Sequence, residues 1–156
     1  METPRPQIPK KMGNQLFYNL CLAYGLDLQV MQEIADSAQV PISIVGQMFV
    51  NLAVRRAYAE SVLAAFSERV GVTWTLDTVK VALLPTFADL QHLYQFDLNI
   101  LVRTAGVEMQ ILKAMLKGEP VHHQEAYFVI QAVSRITRER YSLETVDVPV
   151  EERVQS

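Results

Sequence analysis

Apolar and polar residues fall in the same unusual order at two places in the chain. "GVTWTLDTVKVAL" runs from Gly71 to Leu83, and "RERYSLETVDVPV" runs from Arg138 to Val150. Both are rich in β-branched and aromatic residues with partial alternation, a pattern that predicts a short strand in each. Ahead of each phrase the period changes to that of a helix. Ala59, Val62, Leu63, Phe66 and Val70 share one face, as do Ala126, Val129, Ile130 and Val133. Three shorter helices precede each of these, spanning roughly 13–24, 28–37 and 41–50 in the first half and 86–95, 98–104 and 108–117 in the second. Asp27 and Asp97 stand where N-caps belong, able to accept orphan backbone N–H groups. Pro41, with fixed φ and no donor, suits a first helical position.

The two halves align with each other. Trp74 and Tyr141 open the two phrases at an offset of 67, and that offset carries backwards without a gap through Ser67/Ser134, Val62/Val129, Met48/Met115 and Ala38/Ala105. Further upstream the offset becomes 70, which pairs "YGLDLQV" from Tyr24 with "YQFDLNI" from Tyr94. Matched positions are mostly apolar or small, as a duplicated core would retain. Chance likeness between amphipathic helices is the alternative, and a gapless run ending in the same phrase weighs against it. A lone strand leaves its backbone groups unpaired. Two equivalent strands in one chain offer a remedy, so the phrases are expected to pair with each other about a pseudo-twofold axis.

The segment "LVRTAGVEMQILKAML", Leu101 to Leu116, resembles the helix-turn-helix of Cro-type repressors (the xenobiotic-response-element class) and of the lactose-repressor headpiece. Gly106 takes the turn position, Leu101, Ala105, Val107, Leu112 and Met115 take the buried positions, and "KGEPV" resembles the loop that follows the recognition helix. In the first half the matching residues are Ile34, Ala38, Val40, Val45 and Met48, with Ala35 at the small crossing position. Gln39 replaces the turn glycine there, and Val102 replaces the small crossing residue in the second half. The expected fold is therefore mainly α: two tandem helix-turn-helix-like repeats of about four helices, each ending in a short strand. The expected division is a loose arm over 1–12, a first repeat over 13–84, a second over 85–150 and a tail over 151–156.

In the resembled families, outward residues of the third helix read base edges in the major groove. Carried across, the DNA-binding candidates in the second repeat are Met109, Gln110, Lys113 and Lys117, with Gln110 suited to adenine and the lysines to guanine or phosphate. In the first repeat they are Ser43 and Gln47, with Asn51, Arg55 and Arg56 just beyond as phosphate contacts. The same lysines on a solvated helix face are the plain alternative. Charge complicates the picture. The chain carries −3 overall, whereas a protein that binds by counterion release normally shows a basic surplus. The first repeat's third helix is uncharged and apolar, and Ile42 and Val50 with Phe49 nearby form a candidate patch for protein association.

Other chemistry is weakly signalled. No glycine-rich phosphate loop, HExxH or Cys/His cluster occurs, and no serine or cysteine sits beside a general base in a recognisable motif. Adjacent His122 and His123 diverge by about 100° on a helix, which suits capping or a phosphate contact better than a shared metal. The single cysteine, Cys21, cannot form an internal disulfide and fits a reducing cytoplasm, while apolar stretches end before the ~18 residues of a membrane span. The resemblance thus implies a small, non-enzymatic, cytoplasmic prokaryotic transcriptional regulator that binds double-stranded DNA mainly through its second repeat. It would need no cofactor or metal and act as a homo-oligomer or with a protein partner. The competing expectation is a scaffold in which degenerate repeats mediate protein–protein association.

Overall fold

Described over residues 15–151, the computed structural model divides into two units between Leu83 and Leu84. The expected arm over 1–12, the first residues of the first predicted helix and most of the tail lie outside the described residues. The fold is mainly helical, with eight helices among the described residues.

Unit one contains β1 (Gln15–Leu16), α1 (Phe17–Ala23), α2 (Leu28–Ala38), α3 (Ile42–Phe49), α4 (Arg56–Val70) and β2 (Val79–Lys80). Asp27 starts α2 by accepting the Val30 N–H at 2.9 Å, which satisfies one orphan donor. The helix stops at Gln39, which adopts the left-handed conformation, and Val40 N–H then closes back on Ala35 O at 3.0 Å. The core gathers Phe17, Leu20 and Cys21 from α1, Ile34 and Ala35 from α2, Val45 and Met48 from α3, and Leu63 and Phe66 from α4. Phe66 packs edge-on against Phe17 at 5.6 Å and Tyr24 at 5.5 Å. Each such large side chain removed from water contributes about 1.5–3 kcal/mol.

Unit two contains α5 (Phe87–Tyr94), α6 (Leu98–Ala105), α7 (Met109–Leu116) and α8 (His123–Thr137). Thr86 and Asp89 form a capping box at α5, each side chain accepting the other's backbone N–H, at 3.1 and 2.9 Å. Asp97 accepts from the backbone of Asn99 and Ile100 at the start of α6. The core combines Phe87, Leu90, Leu101, Leu112, Met115, Val129, Ile130 and Val133.

The repeated phrases do not pair with each other, contrary to the expectation from sequence. β2 pairs in parallel with β1, Gln15 opposite Val79 and Leu16 opposite Lys80, and a further bridge joins Val54 to Leu83. In unit two, Thr86 bridges Asp147 and Val121 bridges Val150, again in parallel. The partner for each phrase comes from the backbone just ahead of the unit's first helix and from the loop before its last. Only a few residues of each phrase are extended, so these short segments supply what it needs. Most of "TWTLDT" is a turn instead. Thr78 N–H closes on Thr75 O at 3.0 Å, and Thr75 Oγ1 accepts the Asp77 N–H at 3.2 Å. Ser142 plays the same part beside Glu144 and Thr145.

Positive φ angles follow the sequence offsets. Those at Gly25, Gln39, Asn51 and Gly71 correspond to those at Gln95, Gly106, Gly118 and Arg138. In every pair one unit has glycine and the other does not.

Candidate functional site

Helix α7 begins at Glu108, an N-cap whose side chain makes no capping bond. Gln110, Lys113 and Lys117 are all exposed, and their spacing of three and four residues places them in one stripe along the helix. Met109 does not join them. It is half-buried and packs against the core, because its helical phase matches that of buried Leu112. Lys117 ends the helix, and Gly118 behind it turns the chain at φ 76°.

On α3, Ser43 is exposed and Gln47 is half-buried. Ile42, expected in an exposed patch, is half-buried against the core, for it shares a face with Val45 and Phe49. Asn51 is exposed with φ 61°, Arg55 is the half-buried N-cap of α4, and exposed Arg56 lies 3.8 Å from Glu60. The phosphate-contact candidates of unit one therefore cluster where α3 hands over to α4, beyond the helix that would read bases.

Two surfaces stand out. In unit one, the Tyr18 ring packs against Phe49 at 4.9 Å. Leu22 lies one turn further along α1 at 59 % exposure, and Val50 and Leu52 follow Phe49 at 60 % and 56 %. At the sequence offsets found above, unit two has Ala88, His92, Lys117 and Glu119 in place of Tyr18, Leu22, Val50 and Leu52. The apolar character belongs to one unit alone. Sequence reading found Val50 and Phe49 but missed Tyr18, Leu22 and Leu52. The available signal was that "LFYNLCLAYGL" is apolar nearly all round, more than one buried face requires.

In unit two, a cleft of about 850 Å³ opens between the first turns of α7 and α8. Ile111, Ala114 and Phe128 give it an apolar lining, and the carboxylate-bearing residues Glu108, Glu125 and Glu151 also line it. The Val121–Val150 bridge brings Glu151 there, its N–H donating to Val121 O at 2.8 Å. Glu151 Oε2 stands 3.3 Å from His122 Nδ1, so that pair is ionic when the imidazole is protonated. His122 occupies the N-cap position of α8 without a side-chain cap bond, and the expected capping role is absent. With exposed Glu119, four carboxylates outnumber the ammonium groups of Lys113 and Lys117 around α7.

The remaining reactive groups are quiet. Burial pushes the Cys21 thiol up to about 12. The Tyr141 hydroxyl is also raised to about 12, mainly by its 2.7 Å hydrogen bond with the Tyr94 hydroxyl and then by desolvation and neighbouring charge. Among the described residues no group of three or more His, Cys, Asp or Glu side chains is placed to hold a metal. No helix there is long and apolar enough to cross a membrane. Compared with protein-family models, curated proteins and solved structures, the chain matches none.

Proposed function

We propose that the chain is a non-enzymatic protein–protein association module built from two degenerate helix-turn-helix repeats. Duplication is supported by the positive-φ positions, which recur at the sequence offsets even where the residue type has changed. The observation that carries the association reading is the set of exposed apolar side chains Tyr18, Leu22, Val50 and Leu52 in unit one, with Tyr18 packed on Phe49 beside Val50. Val50 ends the helix that would enter a DNA groove, yet it and Leu52 just beyond are exposed apolar side chains. Exposed apolar residues grouped in this way favour a protein surface over a phosphate backbone. The test is the solution mass over a range of concentrations, with Val50→Asp and Leu22→Asp as probes. The parent should associate as concentration rises, and the aspartate variants should remain at the 17.7 kDa of one chain. A parent that stays monomeric and captures no partner through this face removes the reading.

A second reading, a transcriptional regulator that binds duplex DNA through unit two, is favoured by the exposed Gln110, Lys113 and Lys117 stripe on α7. Against it stands the carboxylate excess around the same helix, since phosphate binding draws its non-specific affinity from cation surplus. Duplex titration at two salt concentrations separates the two readings. DNA binding requires affinity that falls steeply with salt and is mostly lost in Lys113→Ala/Lys117→Ala. If that double variant binds duplex like the parent, the lysine stripe has no such role.

A further inference from the structure

We infer that the cleft between α7 and α8 of unit two docks a cationic amphipathic segment of a partner protein, in which lysine or arginine flanks an aliphatic or aromatic side chain. The inference rests on the association reading and names a partner chemistry for a second surface, separate from the Val50 face. Its volume of about 850 Å³ lies within the range of sites that enclose a few side chains or a small ligand. The lining has two characters. Phe128 leaves 41 % of its surface to solvent beside half-buried Ile111 and Ala114, a place for an apolar side chain to settle.

Glu108, Glu125 and Glu151 supply negative charge at the same cleft. Neither Glu108 nor Glu125 has an ion-pair partner among the described residues, and Glu151 has only the imidazole of His122. Glu108 also leaves its capping role unfilled, so its carboxylate is available to a ligand. At Glu108 and Glu125 an incoming guanidinium or ammonium gains charge-assisted hydrogen bonds without breaking an existing ion pair. Nucleic acid and acidic peptides meet like charge there and are disfavoured. The backbone bridge at Val121 and Val150 fixes the main chain of Glu151 at the cleft before any partner arrives.

The experiment is fluorescence anisotropy with the full chain and a labelled octapeptide alternating lysine and leucine. Lysine–serine and glutamate–leucine octapeptides serve as controls. The lysine–leucine peptide should bind, both controls should bind at least about tenfold more weakly, and Glu108→Gln/Glu125→Gln should weaken binding by about tenfold or more. Phe128→Ser should weaken it as well, and its exposure makes the substitution compatible with folding, checked by circular dichroism. Amide shifts on titration should concentrate between Val107 and Phe128. The inference is overturned if the lysine–leucine peptide does not bind, if it binds the glutamine double variant as well as the parent, or if lysine–serine binds equally. Val50→Asp should retain peptide binding. Peptide binding lost with intact association at the Val50 face therefore rejects the cleft alone, whereas the reverse pattern rejects the apolar face alone.

Discussion

Ser67 Oγ holds both backbone polar groups of Trp74, accepting its N–H at 2.7 Å and donating to its carbonyl at 3.0 Å. Ser134 does the same to Tyr141, at 3.0 and 2.9 Å. One hydroxyl on the last helix of each unit thus satisfies a donor and an acceptor where the chain folds back over the core. The aromatic side chains held this way meet a tyrosine from the end of the first helix, Trp74 Nε1 donating to Tyr24 Oη at 3.3 Å and the Tyr141 and Tyr94 hydroxyls hydrogen-bonding each other at 2.7 Å.

Removing that hydroxyl strands two part-buried backbone groups. Ser67→Ala and Ser134→Ala should each cost about 1–3 kcal/mol, measured as a lower urea midpoint with unchanged slope. A loss smaller than about 0.5 kcal/mol, the range of ordinary surface substitutions, would show that water replaces the serine at no cost.

The left-handed positions predict opposite signs in the two units. Gly106→Ala should destabilise by about 1–2 kcal/mol, because a Cβ is disfavoured at φ 71° even though nothing lies near it. Gln39→Gly relieves the same strain at φ 58° but adds freedom to the unfolded chain, leaving a net gain of at most about 1 kcal/mol. Equal and opposite denaturation shifts are not expected. A destabilised Gln39→Gly would mean that the glutamine side chain contributes a contact beyond its backbone.

Alkaline pH should weaken the fold. Cys21 rises from its ordinary 9.0 to about 12, and Tyr141 from 10.0 to about 12, so between these values the folded chain holds protons that the unfolded chain has released. Stability from both groups is complete below pH 9 and declines as pH rises toward 12. Cys21→Ala removes the earlier part of that decline, so its loss of stability begins nearer the tyrosine value. Thermal melts across this window check the difference, and identical profiles for parent and variant would rule out the thiol's contribution.

Helical segments were legible because their apolar spacing and caps agree. Asp27 and Asp97 cap where they were expected, and the buried faces of the fourth and eighth helices match the periodicity. Strand partners were not. Gln15 and Leu16 are two residues without alternation, and bridges such as Val121–Val150 join backbone far apart in sequence. Met109 is half-buried for another reason. Resemblance placed it among outward residues, while its phase relative to Leu112 already pointed inward. The cleft could not be read in advance, since the packing of α7 against α8 brings Glu108 and Glu125 together and the long-range bridge adds Glu151.

In each unit the chain enters and leaves by the same door, for the backbone just before the first helix lies beside the backbone of the closing phrase. A body closed in this way can be copied head to tail with a linker of only a few residues, because neither copy must reroute its chain to begin the next. Leu84 and Pro85 occupy such a junction, ahead of the Thr86 cap. If the two units are copies of one ancestor, as proposed, their duplication required no topological invention and left each outer face free to change while the closure stayed the same.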